Sequence, residues 1–145
     1  MKINLLLISG VFLATACQNE EQAQVEKLEK EVMMIHDAVM PKMSELVTLE
    51  GSISKKITHL DSLLQITPND TALQQSLKQS LTLASQLKKA DEGMMDWMHK
   101  YKGDSLKKLP PLQAIQAFTQ EKIKIEQVSD DMLKSMEEAQ NFIKQ

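Results

Sequence analysis

Methionine and histidine recur at helical spacing in two stretches of this chain. Met33, His36, Met40 and Met43 follow one another at intervals of three or four residues, and Met94 with Met98 and Met95 with His99 are each one turn apart. Thioethers and imidazoles are soft ligands, and two to four of them in loose geometry suit Cu(I). The same residues also serve as gap-fillers in helical cores or as adaptable surfaces for a protein partner. No Met-x-Met run is present. The Glu-x-x-His pairs that a di-iron bundle needs on two helices are missing as well. The expected reading is therefore no cofactor, with copper as the alternative for these eight residues as a partner or metal site.

Asp96-x-x-His99 places a carboxylate and an imidazole on one helix face, as for Zn(II) or iron, but this spacing also describes a solvated i, i+3 pair. His36 and Asp37 are sequence neighbours, about 100° apart on a helix, and so are not expected to face one substrate. A glycine-rich phosphate loop, GxSxG and HExxH are all lacking, so no enzyme is expected and no catalytic residue is assigned. The 17 basic residues are all lysine and the net charge is −3, which argues against nucleic acid as a partner.

The most specific signal lies at the start of the chain. Lys2, the apolar run Ile3 to Leu13 and the small residues Ala14-Thr15-Ala16 read as a signal peptide over 1–16, too short to remain as a transmembrane helix. Leu13-Ala14-Thr15-Ala16-Cys17 resembles a bacterial lipobox, which implies cleavage before Cys17 and lipidation of this only cysteine. An ordinary cleavage site would instead leave a lone N-terminal thiol in an oxidising compartment. One acyl chain holds a protein only marginally, so the two or three of a lipoprotein are what would make the anchor stable. Residues 17–21 then form the lipidated cysteine and an acidic tether. Glu20-Glu21 resembles the export tether of some surface lipoproteins, and it also suits a solvated linker or a helix N-terminus.

The remaining residues, 22–145, must position the methionines. With Val25 at heptad position a, the a residues are Val25, Val32, Val39, Leu46, Ile53 and Leu60, all apolar; where d falls on Lys42 and Lys56, the e residues Met43 and Ile57 fill the seam. One kinked helix is expected from about Glu20 to Ile66, through Pro41 and Gly51. A threonine cap at Thr67, Pro68 at N1 and Asp70 at N3 predict that a second helix begins there, and Lys102-Gly103 predicts its end at a C′ glycine. Gly103 to Pro110 reads as a loop, and Pro110-Pro111 restarts the chain into a third helix. Short connections make neighbours antiparallel, so the expected fold is all-α, an antiparallel up-down-up three-helix bundle of coiled-coil type following a cleaved lipoprotein signal peptide. Residues of the first two helices whose numbers sum to about 136 should share a level, which sets His36 opposite Lys100 and Met40 opposite Asp96. The two methionine stretches would then meet at the end nearest the anchor, together with Trp97 and Tyr101.

Three blocks carry a family likeness: Glu31-Val32-Met33-Met34-Ile35-His36-Asp37 through Met40-Pro41-Lys42-Met43, then Ala90-Asp91-Glu92-Gly93-Met94-Met95-Asp96-Trp97-Met98, then a lysine- and glutamate-rich third helix with Asp131-Met132-Leu133. They resemble small Bacteroidota-type helical lipoproteins often labelled "viral A-type inclusion protein". The resemblance implies a helical fold, no activity and no functional residues. The expected role is a structural or protein-interaction module of the cell envelope, an outer-membrane lipoprotein facing the periplasm or the cell surface. Its partners would be the membrane, through the lipid, and a protein or further copies of itself.

Overall fold

The computed structural model describes residues 12–144, with side chains from residue 19 onward. Most of the proposed signal peptide, 1–11, lies outside the described residues, as does the side chain of Cys17. The described residues contain no strand, and their fold is all-α. It runs through α1 (Phe12–Val39), a 3-10 turn (Met40–Lys42), α2 (Met43–Ile66), α3 (Thr71–Lys100), the short α4 (Gly103–Leu106) and α5 (Pro111–Ile143). Among the described residues no helix is long and apolar enough to cross a membrane.

The apolar stripe explains why the first two helices share one line. All six a residues, Val25 through Leu60, are buried, whereas Lys42 is exposed and Met43 and Ile57 pack against the core in its place. The facing surfaces come from Leu83, Leu87, Ala90, Met94 and Trp97 of α3 and from Ala114, Phe118, Ile125, Met132, Met136, Ala139 and Phe142 of α5. α1 packs chiefly on α5, and α2 on α3. Cross-helix contacts give the directions. Glu50 lies beside Ala84, Lys88 and Asp91 while His36 lies on Trp97, so α3 runs against α1 and α2. Gln86 donates to Glu138 at 3.1 Å and Gly93 faces Val128, so α5 runs against α3. Lys122 donates to Glu31 at 2.7 Å, Gln140 to Glu45 at 2.6 Å and Lys56 to the Phe142 carbonyl at 3.4 Å, so α5 follows the direction of α1 and α2.

Five local expectations need correction. The first helix is already formed at Phe12, where the described residues begin, rather than from about Glu20, and at Pro41 it gives way to a 3-10 turn instead of a bend in a continuous α-helix. Proline has no N–H to donate to the carbonyl four residues back; the chain tightens, and Met43 N–H bonds the Met40 carbonyl. α3 begins at Thr71, capped by Asp70, whose Oδ1 accepts from Ala72 N at 2.9 Å and Leu73 N at 3.0 Å. The Thr67 hydroxyl, expected as the cap, bonds backward to the Leu63 carbonyl at 3.1 Å.

The end of α3 also differs. The helix closes at Tyr101, whose N–H bonds the Trp97 carbonyl at 2.8 Å, and Gly103 opens α4 with no positive φ. Gly103 is buried, and a Cβ there would sit 2.8 Å from Tyr101 Oη. It is needed for close packing against that ring, not for a left-handed turn. The expected loop of 103–110 therefore contains a helical turn. Pro110 and Pro111 do start the last helix, with the Pro110 carbonyl accepting from Gln113 N and Ala114 N at 2.9 Å each.

Candidate functional site: the methionine and aromatic end of the helices

The register brings the two methionine stretches to one level but does not aim all eight residues at one point. Met94 is fully buried, and Met40, Met43 and Met98 pack against the same core. Met33 is half-buried in a shallow depression along α1 with Glu26 and Lys30. Met95 and His99 turn outward, Met95 being 43% exposed. The angular reason is simple: Leu87, Ala90, Met94 and Trp97 define the buried line of α3, and Met95 lies about 100° round from Met94.

His36 and His99 are each engaged locally. His99 Nδ1 lies 2.7 Å from the Met95 carbonyl, which can only accept, so Nδ1 carries the proton. Asp96, expected as its possible partner, bonds Lys100 Nζ at 2.8 Å instead. His36 Nδ1 donates to Asp37 Oδ1 at 2.9 Å, so two neighbours expected to diverge are bonded directly. Their side chains bend toward each other across the 100° step, and the bond holds the ring against Trp97. His59 is exposed. Among the described residues no three His, Cys, Asp or Glu side chains gather in a way that could hold a metal ion.

What the sequence did not reveal is an aromatic stack. The His36 and Trp97 rings lie 5.5 Å apart at 33°, and Trp97 and Tyr101 stack at 4.8 Å and 22°. Trp97 is buried, and its Nε1 and Tyr101 Oη find no hydrogen-bond partner among the described residues. Burial pushes the Tyr101 hydroxyl above its ordinary pKa, with the nearby Glu29 carboxylate adding to the effect. These rings pack into the core where α3 ends and are not set out toward solvent.

Beside Trp97, α3 and α5 leave an open groove of about 680 Å³, with Gly93, Trp97, Ile123 and Val128 as apolar walls. Its rim carries Asp96 with Lys100 and Glu121 with Lys124, paired at 2.8 and 2.7 Å. A groove whose charges are already neutralised and whose floor is apolar favours an apolar side chain over an ion.

Two ion pairs tie α1 to later elements: Lys122 to Glu31 at 2.7 Å and Lys107 to Glu29 at 2.8 Å. The hydrogen bond from Lys122 holds the Glu31 carboxyl below its usual range, and the same bond holds Lys122 above its own. Glu50, in the α2–α3 seam, is pushed up by burial and by Asp91. Spacing gave no hint of the first two pairs, because their partners are distant in sequence.

No family model, curated protein or solved structure matches the chain.

Proposed function

We propose that this chain is a lipid-anchored helical module of the cell envelope, an outer-membrane lipoprotein acting through structure or protein contact and not through catalysis. In this reading residues 1–16 are removed, Cys17 carries the lipid, and α1–α2, α3 and α5 form an antiparallel up-down-up three-helix bundle. The observation that carries it is the Leu13–Cys17 lipobox, continuous with the rest of α1, in which Val25, the first buried residue among the described side chains, lies eight positions after Cys17. An apolar interior with locally paired histidines supports a scaffold over an active site, and the Trp97 groove supports a protein contact. The likeness to Bacteroidota-type helical lipoproteins points the same way.

The test is Cys17→Ala in a host that processes lipoproteins. The variant is expected to lose fatty-acid labelling and to leave the membrane fraction; unchanged labelling and fractionation would refute the anchor. Crosslinking in intact cells is expected to capture a partner or a second copy at the Trp97 groove. A monomer recovered alone would count against the interaction role.

A further inference from the structure

We infer that the turn formed by 102–112, between α3 and α5, is a second membrane contact that seats the folded domain on an anionic phospholipid surface. This inference rests on the lipid-anchor reading, which supplies the membrane.

Placement comes first. Lys107 Nζ on Glu29 Oε1 at 2.8 Å pins the turn beside α1 at a point twelve positions after Cys17, and α5 leaves the turn in the same direction as α1. At about 1.5 Å per residue, the eight positions from Cys17 to Val25 span roughly 12 Å of helix. A lipid on Cys17 therefore holds this end of the domain close to the bilayer.

The chemistry of the turn fits such a surface. Leu106 packs into the core, but Leu109 and Leu112 are exposed, Leu112 by 66%. They flank Pro110 and Pro111, which have no N–H, while Leu109 N–H bonds the Leu106 carbonyl and the Pro110 carbonyl is taken by α5. The two prolines bring no N–H to desolvate, and the exposed leucines beside them can enter the headgroup boundary. In a chain of net charge −3, this segment carries Lys102, Lys107 and Lys108 against Asp104 alone. Lys107 is engaged by Glu29 and Asp104; Lys102 and Lys108 are exposed and make no ion pair among the described residues. Two leucines beside two uncommitted ammonium groups suit an anionic lipid surface, where apolar contact and attraction to headgroup phosphates act together.

The experiment uses the full chain purified from membranes. Leu112→Cys and, separately, Ile66→Cys at the far end of α2 are labelled with an environment-sensitive thiol dye. Each is reconstituted into phosphatidylcholine vesicles containing phosphatidylglycerol and a nitroxide-headgroup lipid. The dye at 112 is expected to shift to the blue and lose emission, while the dye at 66 does neither. Replacing Lys102 and Lys108 by Gln is expected to restore emission at 112 without releasing the protein. Full emission at 112 on vesicle-bound protein overturns the contact, as does quenching that tracks crosslinked dimers. In the unsubstituted chain, a Cys17 thiol that accepts the dye overturns the anchor and the docking together, so the two failures are separable.

Discussion

The imidazole of His36 lies 5.5 Å from the indole of Trp97, joining α1 to the last turn of α3 at the level where α3 ends. Trp97 is the sole tryptophan, so its emission reports on this contact directly. Trp97→Ala is expected to cost about 3–5 kcal/mol of stability through lost burial and the cavity left behind. Trp97→Phe keeps a ring against His36 and removes an N–H that has no partner, so its cost should stay below about 1.5 kcal/mol. Urea denaturation of the two variants checks the difference; equal costs would mean that the stack contributes little.

Met94 and Met95 are adjacent in sequence and opposite in environment. Met94→Ala is expected to destabilise by about 2–5 kcal/mol and Met94→Leu by less than about 1.5, whereas Met95→Ala should fall within roughly 0.5 of the parent. Thermal melts would show this. A large loss at Met95 would mean that its exposed face is covered in solution.

The two glycines at 51 and 103 should respond with opposite sign. Nothing lies within 4 Å of a Cβ at Gly51, which sits inside α2, so Gly51→Ala is expected to stabilise by about 0.5–1 kcal/mol. A Cβ at Gly103 meets Tyr101 Oη at 2.8 Å and its ring carbons at 3.0 and 3.1 Å. That ring is held by its stack on Trp97, so Gly103→Ala should destabilise by about 1–3 kcal/mol. Tyr101→Leu in the same chain should make the alanine less costly, a coupling that a double-mutant cycle reads.

Acid should weaken the tie between α1 and α5. The Glu31 carboxyl is held below its usual range by Lys122, so its contribution is complete above the ordinary glutamate pKa of 4.5. It is lost as pH falls through the lower folded value. Lys122 is shifted the other way: its share is present below its ordinary 10.5 and disappears as pH rises through the higher folded value. Glu31→Gln should therefore lower the urea midpoint near neutral pH, and the gap from the parent should close as pH falls below 4.5 and through the lower folded value. A gap that persists at low pH would mean that the carboxylate charge is not its source.

The stripe from Val25 to Leu60 was readable because six apolar residues at a strict seven-residue interval leave one helix face no alternative to burial. His36 meets Trp97, within a turn of the level expected from the loop between α2 and α3. The start of α3 was harder to read: Thr67, Asn69 and Asp70 can all cap a helix, and the choice depends on where the Thr67 hydroxyl bonds. Gly103 has the composition of a helix stop, and only the neighbouring Tyr101 ring reveals it as a packing position. The outward aim of Met95 and His99 was available in principle from their angle to Leu87, Ala90 and Met94. Leu109, in a short proline-bounded turn, follows no period and gave no signal, whereas Leu112, in step with the apolar spacing of the last helix, lies in the first turn of α5 and is exposed.

The 3-10 turn at Pro41 has a consequence for the geometry of the whole rod. A straight α-helix advances about 100° per residue, so a seven-residue stripe slips by about 20° per repeat and would be some 40° off line by Val39. Three residues wound at about 120° each add back roughly 60°, which returns Leu46 to the azimuth of Val25. Slippage then begins again from zero through Ile53 and Leu60. The proline turn thus resets phase midway, so that Leu46, Ile53 and Leu60 fall back on the buried line that Val25, Val32 and Val39 begin.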